Sequence, residues 1–177
     1  RRKELLAGLD IEFTTKVIPS LEETYPDTLQ GEEIPIYLAE QKADAYTLED
    51  NDLLITADTI VWLNGHVYGK PADEAEAREM LRSLSGKTHD VITGVCVRTN
   101  KKNVSFASTT KVRFAELTDA EIEHYVNKYR PMDKAGAYGI QEWIGYIGVE
   151  HIEGSYFNVM GLPIQRLYTI LKQFVYF

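Results

Sequence analysis

The 177-residue chain has a single cysteine, Cys96, and therefore no internal disulfide. Nothing in its fold depends on an oxidising compartment, and a cytosolic setting is expected. It also lacks any apolar run near the roughly 18 residues of a membrane helix. The densest stretch, Ile60-Val61-Trp62-Leu63, ends at once, so no membrane partner is expected. Basic residues are in the minority: 19 Lys and Arg against 27 Asp and Glu leave a formal net charge of −8. That balance opposes non-specific attraction to nucleic acid, and a phosphate-bearing ligand would have to meet few, concentrated cations. The histidines at 66, 89, 124 and 151 have no metal-ligand spacing, which argues against zinc. Neither a Gly-x-Ser-x-Gly elbow nor a phosphate-loop motif occurs, and this removes two large enzyme classes as first choices.

What is present is an ordinary globular composition, 44% apolar and 26% charged, that suits one domain over residues 1–177. The spacing predicts helices over 1–9, from 35 to about 45, over 73–84, from the capping box Thr118-x-x-Glu121 to about 129, and over 163–175. Strands are predicted over 11–18, ended by Pro19, and over 53–57, 59–63, 88–98, 104–114 and 146–152, with Asn64-Gly65 as a hairpin turn to Val67-Tyr68. Residues 20–34 read as a long exposed loop. Interleaved helices and strands predict an α/β fold with a mixed sheet.

Asp58 stands at the carboxyl end of a buried apolar run, where α/β sheets bind ligands; a turn or capping aspartate is the alternative. Lys70, between Gly69 and Pro71, and Lys42, between the small Ala39 and Ala43, are candidate phosphate contacts or simply solvated lysines. Arg1, Arg2 and Lys3 crowd a helix start that disfavours cations, a conflict that a bound anion would relieve. Glu22, Glu23, Asp27, Glu32 and Glu33 offer one or two carboxylates that, with Asp58, could hold a hard divalent cation. Cys96, inside an apolar strand, reads as core. In Asp133-Lys134-Ala135-Gly136-Ala137-Tyr138-Gly139-Ile140-Gln141, small residues permit a planar ring to approach, Tyr138 could stack on a base and Gln141 could hydrogen-bond it; a glycine-rich turn is the plainer reading.

Several of these blocks occur in one order: Arg1-Arg2-Lys3-Glu4-Leu5-Leu6, Ala57-Asp58-Thr59-Ile60-Val61, Gly69-Lys70-Pro71, Leu84-Ser85-Gly86-Lys87-Thr88-His89, Thr93-Gly94-Val95, the 133–141 segment, Glu153-Gly154-Ser155-Tyr156 and Val159-Met160-Gly161-Leu162-Pro163. Together they resemble the Maf family of nucleoside triphosphate pyrophosphatases over nearly the whole chain. The resemblance implies an inosine triphosphate pyrophosphatase-like fold, a long mixed sheet flanked by helices with two lobes around a cleft. It implies a cytoplasmic, homodimeric nucleoside triphosphate diphosphatase that uses Mg²⁺ or Mn²⁺ and releases the monophosphate and pyrophosphate. Asp58 matches the family's proton acceptor, Lys42 and Lys70 its phosphate-binding lysines, and Glu22 or Glu23, with Asp58, its metal-associated acids. Arg1, Thr59 and Gln141 match the specificity residues of the branch acting on dTTP and UTP. The rival that the resemblance carries is a nucleotide-binding regulator of septum formation, which would not need Asp58 as a base. Two departures stand out. The family pattern leads one to expect a strand and a Ser-x-Ser-Pro loop before Arg1, and Glu142-Trp143-Ile144-Gly145 replaces smaller residues, so that Trp143 either fills core or narrows a base pocket.

Overall fold

The structure, a computed structural model, describes residues 1–18 and 21–175. Its centre is a five-stranded sheet of order β2-β1-β3-β4-β5, formed by β1 (Leu54–Leu63), β2 (His66–Tyr68), β3 (Thr88–Arg98), β4 (Asn103–Phe114) and β5 (Val149–Glu153). Seven α-helices and a short 3₁₀ turn (Ala135–Ala137) accompany it among the described residues: α1 (Arg2–Ala7), α2 (Glu33–Asp44), α3 (Glu74–Leu84), α4 (Asp119–Tyr129), α5 (Trp143–Gly148), α6 (Tyr156–Met160) and α7 (Ile164–Leu171). None is long and apolar enough to cross a membrane.

The local chemistry explains most of these elements. Asn64 and Gly65 adopt φ of 52° and 76°, the left-handed pair that closes a two-residue hairpin between β1 and β2. Asp73 caps α3 by accepting from the Glu76 amide at 2.8 Å. Thr118 and Glu121 form the expected reciprocal capping box on α4. The apolar residues of α3 and α4, led by Leu81, Leu84, Ile122 and Tyr125, pack with Val91, Val112 and Phe114 of the sheet into the largest core cluster. Leu167 and Leu171 of α7 meet Val95, Val97 and Phe106 in a second.

Four expectations are corrected. The four strand pairings are all antiparallel, not mixed, because helices interleaved with strands can return the chain antiparallel as readily as parallel. The strands expected over 53–57 and 59–63 are one strand, β1: Asp58 looked like a break, yet a buried carboxylate can sit mid-strand when a cation meets it. Residues 11–18 alternate in sequence but pair with no strand among the described residues, and Val17 is 83% exposed, so no ladder is there to make them a strand. The expected stop at Pro19, like Ser20, lies outside the described residues. Residues 143–148 coil as α5 before β5 begins at Val149, with Ile144 in the core and Tyr146 outside.

Helix α2 lies on the sheet at Gly94 of β3. A Cβ added there would fall 2.3 Å from the Pro35 carbonyl carbon and 2.4 Å from the Ile36 nitrogen, so only glycine permits this contact. Gly94→Ala must lift α2 or bend β3, and a loss of about 1–3 kcal/mol in urea unfolding is expected.

A second constraint is polar. His89 is 1% exposed, and its Nε2 lies 2.6 Å from the Tyr138 hydroxyl. Burial holds the imidazole down at about 4, from an ordinary 6.5. The unfolded chain then binds the extra proton between those values, so stability is lost as pH falls through that window. Unfolding free energy should drop by about 2 kcal/mol between pH 7 and 5 on this account, and His89→Gln, which keeps a partner for Tyr138, should flatten the dependence.

Candidate active site

The site is built on the middle of β1. In the register with β3, Asp58 faces Gly94 and Thr59 faces Thr93 across the ladder. The absence of a side chain at Gly94 lets α2 settle close, and Lys42, late in α2, reaches the neighbouring strand. Its Nζ donates to the Ala57 carbonyl at 3.0 Å and to Asp58 Oδ1 at 3.1 Å, and lies 3.4 Å from Glu23 Oε1. Thr56 Oγ1 adds a second tie by donating to the Ala39 carbonyl at 2.6 Å.

Asp58 is only 9% exposed. Burial pushes its carboxyl above the ordinary range, and the charges of Lys42 and Arg2 offset this only in part. Arg2 feels the reverse balance: burial lowers its pKa and Asp58 opposes the drop. Arg2 Nε donates to the Gly161 carbonyl at 2.7 Å, and Nη2 to Thr59 Oγ1 at 3.0 Å.

A cavity of about 320 Å³ opens over this pair. Among the described residues Arg1, Arg2, Lys3, Lys42, Lys70 and Lys134 line it against two acids, Asp58 and Asp133, with Val61, Tyr138 and Met160 among its apolar walls. Among the described residues Lys3 and Lys70 have no ion pair, so their charge is available to a ligand. A larger groove of about 880 Å³ runs between Leu6, residues 11–14, Leu53 and Leu171, but among the described residues its charged lining groups are Glu12 and Asp52. Volume alone would misplace the site; charge and the buried carboxylate locate it.

The structure gathers Arg1, Lys42, Lys70, Asp58 and Thr59 around one cavity. Gln141 is not among the lining residues and connects to them through Arg1, whose Nη1 donates to its Oε1 at 3.3 Å. Glu23 reaches the pair through Lys42, whereas Glu22 is exposed and has no polar contact among the described residues. Tyr138 departs from its expected stacking role: its hydroxyl meets His89 and its ring packs edge-on against Phe114, so it belongs to the core and serves only as wall. Trp143 sits against His124, ring centroids 4.7 Å apart, and does not line the cavity. Sequence reasoning passed over Lys134, Thr93 and Asn158. Thr93, a lone hydroxyl inside an apolar strand, carried a faint signal; Asn158 carried none.

A five-stranded antiparallel sheet, flanking helices and a cation-lined cavity around a buried carboxylate define an α/β protein with an anion-receiving site. The chain belongs to the Maf family: residues 1–174 match the family described as Maf-like protein. It is 63% identical over 175 residues to a dTTP/UTP pyrophosphatase of Phocaeicola vulgatus, covering 98% of this chain and 91% of that one. Similar proteins of the same name in Bacteroides fragilis and Parabacteroides distasonis are 61% and 58% identical, again over 98% of this chain and 91% of theirs.

The Lys42–Asp58 pair has a testable energetic signature. Lys42→Met leaves Asp58 buried without its nearest cation, which raises its pKa further. The cost, about 1–3 kcal/mol at pH 8, should shrink on acidification as the carboxyl takes a proton; urea unfolding at pH 8 and pH 5 measures both.

Proposed function

We propose that the chain hydrolyses dTTP and UTP to the monophosphate and pyrophosphate. The observation that carries this reading is Asp58, a carboxylate made more basic by burial, in a cavity with six cations and one other acid. A triphosphate brings several negative charges, and Arg1, Arg2, Lys3, Lys42 and Lys70 match them in number and concentration. Asp58 accepts the proton of the water that attacks the α-phosphorus, and pyrophosphate leaves. The preorganised cations stabilise the charge that develops on the phosphoryl oxygens and leaving group.

A divalent cation belongs to this reading. Among the described residues no cluster of three His, Cys, Asp or Glu could hold a metal unaided. Glu23 and Asp58 nevertheless converge on one ammonium, at 3.4 and 3.1 Å, and so already frame a cation. Two hard carboxylates with substrate phosphates are a donor set that suits Mg²⁺ or Mn²⁺. Glu23, rather than Glu22, is the acid we assign. When bound, the ion supplies further neutralisation of the triphosphate.

Base recognition falls to Gln141. Its carbonyl oxygen accepts from Arg1, which leaves the amide N–H groups for a ring carbonyl of uracil or thymine. In this reading the cavity is the cleft between two lobes of an inosine triphosphate pyrophosphatase-like domain working in the cytosol. Incubation with dTTP or UTP and Mg²⁺ or Mn²⁺ should release pyrophosphate, and Asp58→Asn should lower kcat by about 10²–10⁴. Because the base must be ionised, kcat/KM should fall as pH drops through the pKa of Asp58. Lys42→Met should move that limb to higher pH. Orthophosphate as the sole product, or full activity in Asp58→Asn, would overturn the mechanism.

A further inference from the structure

Thr59 does not stand alone beside the cavity. Its Oγ1 lies 2.8 Å from Thr93 Oγ1, and Thr93 Oγ1 lies 3.4 Å from the backbone carbonyl of Asn158. Proton counting fixes the direction of this chain. The Asn158 carbonyl can only accept, so Thr93 donates its one hydroxyl proton there and must accept from Thr59. Thr59 then donates to Thr93 and presents a lone pair to Arg2 Nη2, which can only donate. Every hydroxyl proton in the line has one assignment.

The far end of the line is anchored firmly. Asn158 is 0% exposed, and its Nδ2 lies 3.2 Å from the Val91 carbonyl, 3.1 Å from that of Ser108 and 3.0 Å from Thr110 Oγ1. It therefore pins α6 to β3 and β4. The same short helix ends at Gly161, whose carbonyl accepts from Arg2 Nε. Arg2 is thus held by α6 twice, once directly and once through two threonine hydroxyls. Two of its five N–H donors are committed, and three remain for a ligand in the cavity.

We propose that Thr93 and the Asn158 carbonyl are positioning elements that aim Arg2 through Thr59, so that Thr59 acts on the triphosphate through Arg2 and not by touching the nucleotide. The inference rests on reading the cavity as the triphosphate site. Buried Thr93 reaches no ligand, and its influence travels by hydrogen-bond geometry alone. Thr93→Val keeps the shape but removes both the donor for Asn158 and the acceptor for Thr59.

The test compares wild type with Thr93→Val, Thr93→Ser, Thr59→Val, Arg2→Lys and the Arg2→Lys/Thr93→Val double variant, each at a temperature where urea unfolding shows it folded. KM for dTTP and UTP, kcat, and calorimetric binding of inorganic pyrophosphate are read. Thr93→Val is expected to raise KM and the pyrophosphate Kd about tenfold with kcat changed far less, and Thr93→Ser to restore both. In the Arg2→Lys background the further effect of Thr93→Val should vanish, since there is no guanidinium left to aim. Thr59→Val breaks the same line nearer the cavity and gives the same result even if Thr93→Val is too unstable to assay. An unchanged KM in folded Thr93→Val, or effects of Thr93→Val and Arg2→Lys that simply add, would overturn the proposal. If wild type turns over neither nucleotide, the functional reading fails, while pyrophosphate binding by the same variants still decides the relay. Absence of pyrophosphate binding by wild type sinks both.

Discussion

The approach of α2 to β3 at Gly94 is the constraint on which the site depends. With no side chain at that position, the first turn of the helix lies against the strand's backbone, and the rest of the helix follows as a rigid rod. Lys42, two turns further on, is carried to within 3.1 Å of Asp58. Asp58 is itself the ladder partner of Gly94, so one pair of residues sets both the acid and the distance from which its cation comes. A helix held further off would leave a carboxylate buried without its ammonium, an unfavourable arrangement that proteins avoid by protonation. The site's chemistry therefore begins as a packing problem solved by a missing methyl group.

The electrostatics follow from that geometry. A net charge of −8 would repel a triphosphate at long range, and only local concentration of positive charge reverses this. Six cations around a cavity of about 320 Å³ do so, at the risk of silencing the one carboxylate among them. Neighbouring cations alone would make Asp58 a poor base. Burial outweighs them, and the carboxyl ends above its ordinary range. The same low-dielectric setting that strengthens the cations' hold on phosphate thus preserves the acid's affinity for a proton.

How far the sequence revealed this depended on whether the signal was local. The long strands β3 and β4, the Asn64-Gly65 hairpin and the Thr118 capping box were legible because each depends on residues a few positions apart. Asp58 and Lys70 were legible as a carboxylate and a cation beside breaks in apolar pattern. Residues 11–18 misled because alternation describes a surface with two faces and says nothing about whether a partner strand is present. Tyr138 misled because a tyrosine among glycines looks available, whereas the buried His89, 49 positions earlier, claims its hydroxyl. Glu22 and Glu23 were indistinguishable in sequence, since only the fold shows which of two adjacent acids meets Lys42. Arg1 and Gln141 lie 140 positions apart, and no spacing rule would pair them.

The least legible part, the line from Arg2 through Thr59 and Thr93 to Asn158, also shows why long-range polar contacts are retained in a core that hydrophobic packing could fill. Each buried hydroxyl needs a partner, and a line of hydroxyls has few consistent ways to satisfy all of them. Threonine restricts those ways further, because its branched side chain prefers few rotamers. A guanidinium tethered only by an exposed acid would sample many directions. Tied to the backbone carbonyl of Gly161 at the end of α6 directly, and to that of Asn158 within the helix through the two hydroxyls, Arg2 has far fewer directions open to it. Burying Thr93 and Asn158 costs desolvation, and that cost is offset by hydrogen bonds that exist only in one packing of α6 on the sheet. Specificity of packing and direction of the charge are then the same physical quantity, set by the register that places Thr59 opposite Thr93.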